Sequence, residues 1–373
     1  MLSPIEILLK ELKEKLIFLK KKYVNNKVSF MLGTTASKSA ADSPYATPTR
    51  FFENEILFGA IVFNQVDAMI IANEIGKDKD INKFYVDVEK KIAIDVLPNY
   101  EILKKYIGDF NLIPDDKRPE FGNISGAVSR ILDKNKIVPY KANDITVDAV
   151  WSFAESFFSE LSGKKVFIVG LGNIGSKLAL KFVESGCEVS VLGRDHIRDK
   201  IVVDALNFIK NRSVLASVTL ANSIEFQITN ANILMLATNS KSVIKKYHAE
   251  FARKCTLVID VGKENIDYEA LEEFSKKNVP VWRADISAYL PVALSQHKSL
   301  SDFYSKKFGR QVIFGIGLVS GGYIGQVNDI VVDDFMNPEI AYGVCNGQGG
   351  FLNPSSKLYS ILMDKFNNEI LRK

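Results

Sequence analysis

Apolar positions along the chain recur with two periods, and the alternation between those periods lays out its elements. Ile5, Leu8, Leu9, Leu12, Leu16 and Leu19 fall at helical spacing, and Ser3-Pro4-Ile5-Glu6 ahead of them is a capping box with proline at the first helical position. This predicts an amphipathic helix, lysine-rich on its outer face and packed on its own domain. Lys27 to Leu32 reads as a strand, Gly33 to Arg50 as a polar loop rich in Ser and Thr, and Phe51 to Ile75 as an apolar stretch helical for much of its length. Phe84 to Val88 reads as a strand, Asn99 to Tyr106 as a helix, Gly108 to Gly122 as connection and Gly126 to Leu132 as another helix. Alternating strands and helices predict an α/β domain. Val147, Val150, Trp151, Ala154, Phe157, Phe158 and Leu161 then mark a helix that Asp144 or Thr146 is placed to cap.

The pattern changes at Val166 to Val169, a short β-branched and aromatic run of the kind buried on both faces of a parallel sheet. Gly170, Gly172 and Gly175 follow at G-x-G-x-x-G spacing, then a helical segment with Leu178 and Phe182 on its inner side, then Gly186 and a second strand at Val189 to Leu192. This is the opening βαβ unit of a dinucleotide-binding fold. Gly170 permits the tight turn, Gly172 lets backbone N–H groups approach a pyrophosphate, and Gly175 lets helix and strand pack closely. Asn173 and Ile174 open the helix whose positive end faces the phosphates. Three more buried strands are expected at Ile233 to Leu236, Thr256 to Val261 and Val279 to Trp282. Ligands lie beyond the strand C-termini of such a sheet, so Ala237, Thr238, Asn239, Val261 and Gly262 are expected at the nicotinamide half. Gly321 to Gly325 reads as a turn before a helical run through Val332, and Asn346 to Gly350 as a second glycine-rich turn.

The expected fold class is therefore α/β. Residues 1–146 form a substrate domain, residues 147–300 a doubly wound Rossmann domain, and residues 301–373 a segment returning to the first domain. The end of the second Rossmann strand bears on the choice of dinucleotide. An NAD site places a carboxylate there for the adenosine ribose. Gly193 leaves room for a 2′-phosphate and Arg194 offers a guanidinium to bind it, which favours NADP; Asp195 follows at once and keeps NAD open.

Composition narrows the alternatives. A net charge of +4 over 373 residues is mild and the lysines are scattered, so nucleic-acid and membrane-surface binding have no compositional support. Cys187, Cys255 and Cys345 lie far apart, which suits a reducing cytoplasm and argues against structural zinc. His196, His248 and His297 make no ligand spacing, so no metal is expected. Asn64, Gln65 and Asp67 interrupt the apolar run Ile56 to Ala72, and the N-terminus lacks the layout of a signal peptide.

The layout resembles that of a dehydrogenase superfamily in which a substrate domain, a linking helix, a Rossmann domain and a return segment follow in order. Methylenetetrahydrofolate dehydrogenases, shikimate dehydrogenases and glutamyl-tRNA reductases share it. Leu257-Val258-Ile259-Asp260-Val261-Gly262 is similar to the I-D-V-G strand end of the folate enzymes. Ser320 to Gly325 is similar to their P-G-G-V-G-P turn, with one residue inserted and both prolines missing. Tyr100 and Lys104 repeat their catalytic Y-x-x-x-K spacing, while Val138-Pro139-Tyr140-Lys141 resembles the catalytic lysine motif of shikimate dehydrogenases and Asn143-Asp144 echoes their N-T-D-G. The glycine loop is not the G-R-S variant of the folate enzymes, and glutamyl-tRNA reductases need a first-domain cysteine, whereas Cys187 is the first here. No member family is assigned.

The resemblance implies a cytoplasmic, homodimeric oxidoreductase that moves a hydride to or from a small polar metabolite. Such a step needs a proton donor or acceptor. Lys141 with Asp144, just before the linking helix, is the first candidate pair, and Lys104 with Tyr100 the second. The Ser- and Thr-rich loop closing on Arg50 is a candidate surface for a polar or anionic substrate. Two alternatives stay open: a dinucleotide-binding sensor or assembly subunit without redox chemistry, and an enzyme that retains NAD(P) for cyclisation or dehydration.

Overall fold

In the computed structural model, residues 2–35, 42–52, 54–92, 124–252, 257–287, 289–295 and 308–371 are described. The segments read above as the helix at 99–106 and the connection at 108–122 lie outside them. The chain divides into two compact units, Met1–Pro291 and Val292–Lys373.

The first unit opens with the helix Pro4–Lys22, whose capping box closes as the sequence predicts, Ser3 N donating to Glu6 Oε2 at 2.8 Å. Five strands follow: β1 (Lys27–Thr34), β2 (Tyr45–Phe51), β3 (Glu55–Val62), β4 (Ile81–Asp87) and β5 (Ile137–Tyr140). They form one sheet in the order β2-β3-β1-β4-β5, parallel except for β2. The leucine face of the first helix packs on Phe30, Phe58 and Phe84. Phe58 meets the Phe30 ring edge-on at 4.9 Å and Phe84 stacks on it at 5.2 Å.

Two expectations for this region are corrected. Residues 45–50, expected in a polar loop, belong to β2. Pro48 is tolerated there because β2 is an edge strand whose register shifts between Thr47 and Arg50. The apolar stretch from Phe51 is not mainly helical: Glu55–Val62 is a central strand, and helix begins only at Gln65. A short apolar run has no period that separates a buried strand from a helix. Gly59 was the local clue, since a Cβ there would lie 2.1 Å from the Met31 carbonyl oxygen of the neighbouring strand.

The helix Ala142–Phe158 links this sheet to a second one. The second sheet comprises β6 (Lys165–Val169), β7 (Glu188–Leu192), β8 (Val218–Leu220), β9 (Ile233–Leu236), β10 (Leu257–Asp260) and β11 (Val281–Arg283). All are parallel, in the order β11-β10-β9-β6-β7-β8, so chain direction across the sheet reverses between β6 and β9. That is the doubly wound order, with its ligand crevice at the reversal. Each face carries its own core. Ile168, Leu178 and Phe182 pack with Val147 and Val150 of the linking helix, whereas Phe167 faces Ile228, Ala249 and Phe274.

The second unit holds β12 (Arg310–Ile313), β13 (Ile316–Ser320), β14 (Ile330–Val332), β15 (Ala341–Val344) and the helix Lys357–Glu369, around a core of Leu318, Ile330, Val332, Val344 and Phe366. The helical run expected through Val332 is corrected: Ile330-Val331-Val332 is a strand paired on both sides. Three consecutive β-branched residues suit a pleated ladder better than a helix. The second glycine-rich turn is present, Asn346 Oδ1 accepting from Gln348 N at 2.8 Å and from Gly350 N at 3.0 Å.

Candidate dinucleotide site

A cleft of about 1040 Å³ opens at the reversal point of the second sheet. Its floor is the turn from β6 into the helix Asn173–Glu184. Gly170 has φ +106°, a conformation open to glycine, and a Cβ on Gly175 would stand 1.9 Å from the Gly170 carbonyl oxygen. A Cβ on Gly172 would point into open space instead. Gly172 is also the N-cap and supplies no side chain to the first-turn N–H groups. The glycine loop thus leaves bare backbone donors at a helix N-terminus beside an open cleft, the arrangement that a pyrophosphate fits.

Gly193, Arg194 and Asp195 lie along the same cleft after β7. The structure gives Gly193 a second reason: a Cβ there would be 2.2 Å from Oδ2 of Asp199, a carboxylate only 2% exposed. Asp195 is the N-cap of the helix His196–Ile209, its carboxylate accepting from Arg198 N at 3.1 Å. Arg198 and Asp199, which the sequence reading passed over, both line the cleft; Arg198 Nη1 donates to the Leu171 carbonyl in the glycine loop at 3.1 Å. Arg194 precedes the N-cap and Arg198 lies in the first turn of the helix, so both fall at the end of β7 where the strand C-terminus faces the cleft. Ala237, Thr238 and Asn239 line the cleft beyond β9, but Val261 and Gly262 are not among its lining residues. Gly262 backs onto the Thr238 carbonyl, which a Cβ would approach to 2.1 Å.

The linking helix brings the first domain to this cleft. Asp144 and Asp148, one turn apart, pair with Lys177 and Lys181, one turn apart on the glycine-loop helix. Trp151 Nε1 donates to Ser185 Oγ at 2.9 Å farther along. This ladder sets both helix N-termini side by side, so that Asn143 Nδ2 donates to Asn173 Oδ1 at 3.0 Å. The linking helix begins earlier than expected, at Ala142, with Lys141 as N-cap; Asp144 sits inside the first turn, turned toward Lys177.

Lys141 Nζ and Asp144 Oδ2 are 3.6 Å apart, with 63% and 39% of their side chains exposed. Lys141 lines the cleft. For Asp144 burial acts upward on the carboxyl, but the Lys177 and Lys141 charges prevail and hold it below its usual range. Tyr100 and Lys104 lie outside the described residues.

A tighter set of charges enters the cleft from the end of β4. Asp87 is fully buried, its Oδ1 accepting from Glu89 N at 3.0 Å and its Oδ2 from Lys91 Nζ at 2.6 Å. Lys91 Nζ also stands 3.1 Å from Glu89 Oε2, and only 12% of its side chain is exposed. Glu89 Oε2 accepts from Asn143 N at 2.7 Å, and Glu89 Oε1 lies 3.6 Å from Lys177 Nζ. Burial pushes the Asp87 carboxyl up despite the Lys91 ammonium. Burial likewise holds the Tyr140 phenol, on the neighbouring strand, well above its ordinary value. The signal for this group was in the sequence: Asp87-Val88-Glu89-Lys90-Lys91 follows a strand of a parallel sheet at its C-terminal edge, where ligands bind.

Strand order, glycine loop and cleft define the nucleotide-binding domain of the NAD(P)-dependent dehydrogenases. Comparison with known proteins agrees on that class: residues 152–280 match the family model of shikimate / quinate 5-dehydrogenase. No curated protein matches the chain. Several solved structures are similar in part. Glutamyl-tRNA reductase from Methanopyrus kandleri is 18% identical over 41% of this chain, with a TM-score of 0.33, and only 38% of its own length is covered. L-tryptophan dehydrogenase from Nostoc punctiforme is 13% identical over 73% of this chain and 74% of its own, with a TM-score of 0.38. The A chain of dipicolinate synthase from Bacillus subtilis is 13% identical over 75% of this chain and 97% of its own, with a TM-score of 0.35. No helix among the described residues is long and apolar enough to cross a membrane.

Proposed function

We propose that this chain is an NADP-dependent oxidoreductase acting on a small polar metabolite bound between its first two sheets. The observation that carries the reading is a single cleft with the glycine loop at one side and Lys91, Glu89 and Asn143 of the first domain at the other. Gly170, Gly172, Asn173, Ile174 and Gly175 would hold the pyrophosphate, Arg194 and Arg198 the adenosine end, and Ala237 to Asn239 the nicotinamide end, with Val261 and Gly262 packed behind them. When bound, the dinucleotide supplies or accepts the hydride.

The chain's own residues handle the proton. Lys91 Nζ donates it to the reacting oxygen in reduction and removes it in oxidation. Asp87 and Glu89 hold the ammonium in place, and their hydrogen bonds take up donors that a desolvated lysine would otherwise leave unpaired. Glu89, Lys177 and Asp144 continue as a chain of contacts toward exposed Lys141, which we assign to proton exchange with solvent.

Asp199 favours a second reading, NAD, because its carboxylate sits beside Gly193 where a ribose hydroxyl is bound in NAD sites. Calorimetric titration with NADPH and NADH separates the two. Under the NADP assignment Arg194→Ala and Arg198→Ala each weaken NADPH by roughly 1.5–3 kcal/mol and leave NADH nearly unchanged. Equal losses for both dinucleotides, together with selective loss of NADH in Asp199→Asn, would overturn it.

A further inference from the structure

Beyond β9 the chain makes a loop, residues 237–244, and beyond β10 a second loop, residues 261–267, runs beside it. Ala237, Thr238, Asn239, Ser240 and Val243 of the first loop line the cleft, and no residue of the second does. Backbone bonds join the two: Gly262 N donates to the Leu236 carbonyl at 2.8 Å, Ser242 N to the Glu264 carbonyl at 2.8 Å, and Asp267 N to the Ile244 carbonyl at 3.0 Å. Between these points a side chain makes the connection. Asn265 is fully buried, and its Nδ2 donates to the Thr238 carbonyl at 3.0 Å and to the Ser240 carbonyl at 2.6 Å.

Asn265 is itself held through its backbone. Its N–H donates to Asp260 Oδ2 at 3.2 Å, and its carbonyl accepts from Ile244 N at 3.0 Å. Lys263 and Glu264 ahead of it both take left-handed conformations, φ +64° and +55°, which are uncommon for residues with a Cβ. Gly262 makes the room: a Cβ there would lie 2.1 Å from the Thr238 carbonyl oxygen and 2.5 Å from Asn265 Oδ1. A side-chain amide has two N–H donors, and here both are spent on carbonyls two residues apart. Those carbonyls are thereby turned toward buried Asn265, and Asn239 between them is left at the cleft wall.

We propose that Asn265 is the positioning residue of the nicotinamide-side loop: its amide fixes the backbone from Thr238 to Ser240 so that Asn239 meets the nicotinamide end of a bound dinucleotide. This rests on the dinucleotide reading of the cleft. Asn265 touches no ligand and acts through the loop. Aspartate at this position keeps the shape but turns an acceptor toward the two carbonyls, leaving both unpaired beside a charge. Alanine removes the two donors and adds no charge.

The test is calorimetric titration with NADPH and with 2′-phospho-ADP-ribose, which is NADP without its nicotinamide, alongside amide hydrogen exchange of the protein without ligand. NADH and ADP-ribose replace them if wild type prefers NAD. Wild type binds the whole dinucleotide more tightly than the fragment. Asn265→Ala weakens the dinucleotide about tenfold and Asn265→Asp more, while both leave the fragment within about twofold, so the advantage of the nicotinamide is lost. Exchange at Asn239 to Ile244 quickens in both variants, and exchange at Gly170 to Ile174 stays as in wild type. A packing role predicts the opposite order, because Asp keeps the volume that Ala gives up. Ala worse than Asp, equal losses for dinucleotide and fragment, no advantage of the dinucleotide in wild type, or unchanged exchange at Asn239 to Ile244 each overturns the proposal. Should Asn265→Asp fail to fold, Asn265→Ala carries the split between dinucleotide and fragment. If wild type binds neither dinucleotide while exchange quickens at Asn239 to Ile244 alone, Asn265 stands as the residue that holds this loop and the dinucleotide reading falls.

Discussion

Two lysines at one cleft differ in what surrounds them. Lys91 is held by Asp87 and Glu89 with 12% of its side chain exposed, whereas Lys141 is 63% exposed with its nearest carboxylate at 3.6 Å. An exposed pair is screened by water and weakly coupled, while a pair shielded from water keeps its geometry. With the true substrate, Lys91→Met is therefore expected to lower turnover by about 10²- to 10⁴-fold with dinucleotide affinity unchanged within a few-fold. Lys141→Met is expected to lower it far less, with a loss that added amine buffer reduces. A single-turnover assay of both variants checks this, and the reverse order would return the proton-transfer role to Lys141 and Asp144.

Among elements, the linking helix Ala142–Phe158 and the glycine-loop helix Asn173–Glu184 form the junction on which the cleft depends. Their apolar sides meet through Val147, Val150 and Leu178, and their charged edges through Asp144–Lys177 and Asp148–Lys181. The pH dependence of this edge follows from two shifts of opposite sign. Burial acts upward on the Asp144 carboxyl, but Lys177 lowers it, so its contribution is present above the ordinary aspartate value of about 3.9 and is lost as pH falls through the lower folded value. Burial acts downward on the Lys177 ammonium, but Asp144 and Glu89 raise it, so its contribution is present below about 10.4 and is lost as pH rises through the higher folded value. Asp144→Asn is expected to lower the melting temperature between about pH 5 and 9, and the difference from wild type should vanish in acid below the folded value. A melting series over pH tests this; a difference that persists in strong acid would mean that Asp144 acts through packing and not charge.

For the whole molecule, the bare glycine loop makes dinucleotide binding a stability effect. A ligand that binds only the folded chain stabilises it by about 2.7 kcal/mol at 100 times its dissociation constant. NADPH is expected to raise the melting temperature of wild type and not of Gly172→Val. A Cβ at Gly172 meets nothing within the protein, so that variant should melt near wild type without ligand. Gly175→Ala makes the contrast, because its Cβ would collide with the Gly170 carbonyl and lower stability in the absence of any dinucleotide. If Gly172→Val were stabilised by NADPH as wild type is, the dinucleotide would have to lie elsewhere.

What the sequence determined by itself was whatever depends on near neighbours in the chain. The capping box at Ser3 and Glu6, the strand-glycine-helix unit around Gly170, Gly172 and Gly175, and the run of six leucine and isoleucine positions in the first helix are local patterns with local causes. Tertiary structure decided what depends on residues far apart. Glu55–Val62 is a strand because Met31 and its neighbours offer it a ladder, although its apolar run suits a helix as well. Gly193 read as space for a phosphate, and only the fold sets the Asp199 carboxylate against it. The pairing of Asp87 with Lys91 is close in sequence, yet the burial of Asp87 comes from the surrounding sheet, and the low exposure of Lys91 beside it separates Lys91 from Lys141 at the same cleft. Arg50 Nε donates to Ser287 Oγ, 237 positions away, and no pattern along the chain reports a contact made through space.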